Sequence, residues 1–219
     1  MWPNDDAAWD RAGETPRRGS EPPRFYEVPP PADDQDRGLY DEETGLPSRL
    51  RFWDRVEQSL AWADRHGGRV GVLLLDVGDV GRVRERMGPE AGTHLIRQVG
   101  RRLIGSLRKQ DSVARTGEFE FAVLLPEIDS STGAATVAHK LLRLFERHFD
   151  VSGNSVGVTP SIGAAVFPDH AFTLEALLGG AGVAKNAARG QGRGVFLVFA
   201  PGMSRQPAGF DPPAASDPR

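Results

Sequence analysis

Apolar side chains recur along this chain in two rhythms, one of three and four residues and one of two, and the changes between them predict alternating helices and strands. Leu50, Trp53, Val56 and Leu60 fall on one helical face, just after Pro47, which suits a first helical turn. Val70 to Leu75 is an apolar run ending in Asp76, the pattern of a strand buried on both faces. Residues 77 to 88 read as a loop. Residues 90 to 107 predict a helix that buries Leu95, Val99 and Leu103 and turns Arg97, Arg101 and Arg102 outward as a basic face. Two short apolar runs, Val113-Ala114 and Ala122 to Leu125, flank a Thr116-Gly117 pair, and alternation resumes at Phe119, Phe121 and Val123. That is a β-hairpin with a glycine at its tip. A helix over 132 to 149 buries Val137, Leu141, Leu144 and Phe145; a strand over 156 to 167, a helix over 174 to 188 and a strand over 195 to 199 complete the series. Such an order predicts an α/β domain with helices on a mixed sheet.

Composition confines this domain to the middle of the chain. Residues 1 to 39 hold seven of the 17 prolines, nine acids and five arginines but few aliphatic residues, too little apolar surface to offset the entropy of ordering. Residues 204 to 219, with Pro207, Pro212, Pro213 and Pro218, share that character. Two disordered tails are expected around a domain spanning 40 to 203. Trp2, Trp9, Phe25 and Tyr26 in the first tail leave two readings, solvated chain or docking segment.

A net charge of -3 and pI near 6.0 give no overall basic field, so nucleic acid is not an expected partner. The absence of cysteine excludes disulfides and thiolate chemistry. His66, His94, His139, His148 and His170 lack metal-ligand spacing. No run approaches the roughly 20 apolar residues of a membrane helix, and no export signal is present. A cytoplasmic protein without membrane contact is expected.

The hairpin, Arg115-Thr116-Gly117-Glu118-Phe119-Glu120-Phe121, resembles the signature of the GGDEF family, the diguanylate cyclases, whose usual text is Arg-x-Gly-Gly-Asp/Glu-Glu-Phe-Ala. Thr44-Gly45-Leu46-Pro47, Asp76, Ser161-Ile162-Gly163 and Gly192-Arg193 match further family anchors in order, with Glu43 replacing a leucine and Ser48 an asparagine. The resemblance implies a ferredoxin-related, palm-like core with a central mixed sheet of about five strands flanked by helices. It also implies a reaction in which one GTP's ribose hydroxyl attacks another's α-phosphate, with magnesium held by two carboxylates.

Measured against that pattern, the signature is degenerate. Asp76 matches the first carboxylate, but the third signature residue is Phe119, which offers no oxygen. Glu118 replaces a glycine that lets the backbone approach the nucleotide. The ungapped match of Arg115 and of Phe121 to Leu125 speaks against a slipped register in which Glu118 is the ligand. The guanine-reading asparagine falls at Arg84 and its aspartate at Thr93, while Gly78 and Val80-Gly81 replace a second aspartate and a Phe-Lys pair. Arg189 and Arg193 are candidates for phosphate or for a solvated basic loop, and Glu120 for a hairpin hydrogen-bond acceptor. The expectation is no catalysis, no cofactor and no working magnesium site.

Arg108-Lys109-Gln110-Asp111 fits the family's Arg-x-x-Asp inhibitory motif, the I-site, where cyclic di-GMP binds. An arginine fork bonds phosphate and guanine together, although Arg108 at an arginine-rich helix end is equally an ordinary solvated residue. The resemblance implies a cyclic di-GMP receptor in bacterial second-messenger signalling, acting through Arg108 and Asp111 on an unidentified protein partner. Arg101 and Arg102 are candidates to complete the site, and a homodimer is open to the chain. A ligand-independent interaction module is the alternative.

Overall fold

The centre of the fold is β1, Val70–Asp76, an apolar strand without a free edge. It pairs antiparallel with β3, Glu120–Leu125, on one side and with β6, Ser161–Phe167, on the other. In this computed structural model, which describes residues 38–203, β2 (Ser112–Gly117) and β7 (Phe196–Val198) close a five-stranded mixed sheet in the order β2-β3-β1-β6-β7. Only the β6–β7 pair is parallel. A separate hairpin joins β4, Phe149–Val151, to β5, Asn154–Val156. The expected tails lie, but for Gly38 and Leu39, outside the described residues.

Alternation along β1 sorts the core into two layers. Val70, Val72 and Leu74 join Phe52, Trp53, Val56, Leu60 and Ala63 of α1 (Arg49–His66) and Leu177, Leu178 and Ala181 of α5 (Leu174–Gln191). Leu73 and Leu75 face the opposite layer, built on α2 (Asp79–Met87), α3 (Pro89–Ile104) and α4 (Ser131–Leu144) with Val83, Leu95, Ile96, Val99, Leu103 and Leu141. The glycine of Ser161-Ile162-Gly163 is needed for this arrangement. A Cβ on Gly163 would stand 2.0 Å from the Lys185 nitrogen, so α5 lies directly on the β6 backbone.

Several expected boundaries change. Leu50 is 55% exposed and Phe52 takes its place in the core, because Phe52, Trp53, Val56, Leu60 and Ala63 form the buried face of α1 and Leu50 falls to its side. Pro47 precedes the helix and bridges back to Tyr40. The expected loop over 77 to 88 contains α2, whose Val80 and Val83 are buried; the glycines at 78, 81 and 88 masked its short apolar face. The helices expected to reach 107 and 149 stop at Ile104 and Leu144, with Leu144 and Val137 only partly buried and Phe149 turned into β4. The strand expected over 156 to 167 is two, since residues 157–160 separate β5 from β6. The hairpin turn is Glu118-Phe119, with Gly117 ending β2.

Candidate functional site

The C-terminal end of β1, the β2–β3 turn and the start of α2 meet in one cleft. Asp76 lies opposite Glu120 in the β1–β3 register. Its Oδ1 accepts the Gly78 N–H at 2.9 Å, and its Oδ2 accepts from Arg189 at 3.2 Å. The Val77 N–H donates to the Phe119 carbonyl at 2.8 Å, so the turn is tied to this end of the strand through backbone. The Phe119 ring points instead to α2: a Cβ built on Gly81 would touch it at 3.2 Å, and Arg84 lies over its face, 5.6 Å from the centroid.

A charged network fills the space between the opening segment, α2, α3 and the turn. Glu43 Oε1 accepts from Arg84 Nη2 at 2.9 Å and from Thr93 at 2.5 Å, while its Oε2 pairs with Arg115. Arg84 Nη1 reaches Glu118 at 2.9 Å. Arg115, 7% exposed, also bonds Asp41 at 2.9 Å and donates to the Glu118 carbonyl at 2.8 Å. Burial pushes the Glu43 carboxyl up, but hydrogen bonds from Thr93 and Arg115 and the charges of Arg115 and Arg84 outweigh it and hold the group below its ordinary value.

Two arginines singled out for phosphate are spoken for. Arg189 pairs with Asp76, and Arg193 joins Arg82 on the buried carboxylate of Asp79, whose other oxygen accepts the Thr159 N–H at 2.8 Å. Glu120 is the hairpin acceptor expected of it, taking the Thr116 hydroxyl at 2.8 Å and pairing with Lys185. The sequence reading missed Asp79, Lys185 and the Glu43–Arg84 pair. A signal for the last was available, since an acid and an arginine both stand where the family pattern has uncharged residues.

The Arg-x-x-Asp corner lies at the other end of β2. Asp111 Oδ2 accepts the Arg108 N–H at 2.9 Å and the Asp111 N–H donates to the Arg108 carbonyl at 3.0 Å, a local turn that fixes the two residues together. Arg108, Lys109 and Arg101 are exposed. Arg102 is not available as a completing residue. It donates to the Leu144, Arg147 and His148 carbonyls and covers the Phe149 ring at 3.5 Å, holding the end of α4 to α3.

Residues 38–195 match the family model described as diguanylate cyclase, GGDEF domain. The chain belongs to the GGDEF family. The GGDEF domain of TpbB from Pseudomonas aeruginosa superposes with a TM-score of 0.71 at 33% identity, over 74% of this chain and 94% of that domain. The chain is 34% identical to the bifunctional diguanylate cyclase/cyclic di-GMP phosphodiesterase MucR of the same organism, and 31% identical to the cyclic di-GMP phosphodiesterase PdeR of Escherichia coli. Each match covers 76% of this chain, which spans only 24% and 25% of the two relatives. This GGDEF domain is thus related to the cyclases and to cyclic di-GMP signalling, and among its described residues no helix is long and apolar enough to cross a membrane.

Proposed function

We propose that this GGDEF protein does not make cyclic di-GMP but receives it, through Arg108 and Asp111, and signals to a protein partner. The observation that carries the reading is a contrast in charge. Around the cleft Arg84, Arg115, Arg189 and Arg193 all have carboxylate partners, whereas the exposed Arg108 side chain has no ion-pair partner among the described residues. An exposed arginine whose backbone is tied to an aspartate by a tight turn suits a guanine nucleotide with its phosphate.

The cleft's donor set does not fit magnesium. At the end of β1 both oxygens of Asp76 are engaged by Gly78 and Arg189, and those of Glu120, opposite it, by Thr116 and Lys185. Position 119 contributes a ring that packs on α2, leaving the charge of a divalent ion poorly compensated.

Calorimetry with cyclic di-GMP tests the receptor directly. The native chain is expected to bind saturably and Arg108→Ala to bind at least about tenfold more weakly, the loss of one charge-assisted contact. A native chain that takes up no dinucleotide leaves the ligand-independent docking module. Incubation with GTP and magnesium is expected to give no product; cyclic di-GMP formed in proportion to protein would overturn the reading of Phe119.

A further inference from the structure

Strand β7 ends the sheet, and its ladder faces one way. The Ile162 N–H donates to the Val195 carbonyl at 3.0 Å and the Phe199 N–H to the Ala164 carbonyl at 2.7 Å. Alternate residues bond to opposite sides, so the N–H and C=O groups of Phe196 and Val198 point to the open edge. A crevice of about 510 Å³ lies beside the start of that edge, between α4 and β7. Leu142, Phe145, Pro160 and Phe196 give it apolar walls, and the exposed Arg143 and Thr159 add polar groups.

The chain itself leads back to this place. The Ala200 carbonyl accepts the Met203 N–H at 3.1 Å across Pro201 and Gly202, and Gly202 has φ +101°. That is a type II turn, and it reverses the chain directly after β7. Continued from the turn antiparallel to β7, Arg205 falls opposite Val198 and Pro207 opposite Phe196. The phase is right, because Ala200 shares the open side with Phe196 and Val198, so Arg205 and Val198 meet as a hydrogen-bonded pair. Pro207 has no N–H to give, and the ladder ends beside Phe196, where the crevice begins. Gly209 lets the backbone bend there, and Phe210 is the first large apolar side chain past the turn. A type II turn splays the strands it joins, so the turn does not hold the segment by itself; an aromatic anchor in the crevice does.

We propose that residues 204–210 of this chain dock on β7 as a sixth strand, with the Phe210 ring filling the crevice between α4 and β7. The segment opens the tail for which composition predicts disorder, and it is the ordered part of that tail. The edge it creates is blunt, carrying Arg205 and ending at Pro207, which guards the sheet against pairing with another copy. Arg108 precedes β2, the opposite edge of the sheet, so this inference stands apart from the receptor reading.

Amide hydrogen exchange of the full chain, read by NMR at Phe196 and Val198, tests the docked strand. Both N–H groups are expected to exchange at least about tenfold more slowly in the native chain than in Phe210→Ala. Arg205→Pro removes the ladder donor and is expected to speed Val198 in the same way. Gln206→Pro, whose N–H faces away from β7, is expected to leave both amides slow. Unchanged exchange at Val72 and Leu74 of β1 confirms that each variant is folded. Rates in Phe210→Ala or Arg205→Pro equal to the native ones overturn the proposal, as does a loss of protection in Gln206→Pro matching that in Arg205→Pro. Protection that falls on dilution also overturns it, because the cover on β7 is then a second copy.

Discussion

The two ends of β2 treat charge in opposite ways. At the cleft end Arg115 is buried and bonded to Asp41, Glu43 and the Glu118 carbonyl. At the other end Arg108 and Lys109 stand exposed, and Asp111 bonds only the backbone of Arg108 among the described residues. The cleft end teaches that charges which answer one another across buried elements serve the structure. The corner teaches that a charge without such a partner contributes little to folding and stays available. Both statements predict what happens when each arginine is removed.

Arg115→Ala should do the most damage. It leaves the partly buried Asp41 and Glu43 carboxylates without their shared counter-ion and releases the turn at Glu118. Breaking a buried pair from one side costs about 3–5 kcal/mol, and denaturant unfolding is the measurement. A loss under about 1 kcal/mol would mean the cleft network is a surface feature in which the opening segment has no fixed place.

Glu43→Gln comes second, at about 1.5–3 kcal/mol for the loss of hydrogen bonds to a charged group, and it carries a pH signature. Because the folded state holds the Glu43 carboxyl below its ordinary value, the folded protein binds fewer protons there than the unfolded chain. Its contribution is complete above the unfolded value and fades as pH falls through the lowered folded one. The gap in unfolding free energy between native and Glu43→Gln is therefore widest at neutral pH and closes below about pH 4. A gap that is constant with pH would assign the loss to packing.

These network residues also show where sequence reading reached its limit. The order of strands and helices was legible because β1 and the buried faces of α1, α3 and α5 carry apolar periods that no loop imitates. The boundary errors were local: α2 is nine residues long with Gly81 inside it, and the glycine that weakens its helical pattern is there to admit the Phe119 ring. Phe119 was read as a missing oxygen, which holds for its side chain, but its carbonyl still ties the turn to Val77. The Glu43–Arg84 bond joins residues 41 positions apart, and only folding brings them together. Arg102 was read as part of a basic outer face because it sits one residue off the buried stripe of α3. The carbonyls it caps, of Leu144 at the end of α4 and of Arg147 and His148 beyond it, come from a segment that periodicity placed inside a longer helix.

The smallest expected effect is the sharpest test of the comparison. Arg108→Ala removes a charge with no ion-pair partner among the described residues, so unfolding free energy should change by no more than about 0.5 kcal/mol. The same substitution should shrink the rise in melting temperature expected of the native chain with cyclic di-GMP, by at least the about 1.4 kcal/mol that a tenfold weaker affinity removes from ligand stabilisation. The pairing of these results matters more than either alone. An arginine serving the fold would lower the melting temperature without ligand and leave the ligand increment in place; an arginine serving the ligand does the reverse. If Arg108→Ala melts several degrees below the native chain in the absence of dinucleotide, the corner is one more structural charge and the two ends of β2 do not differ.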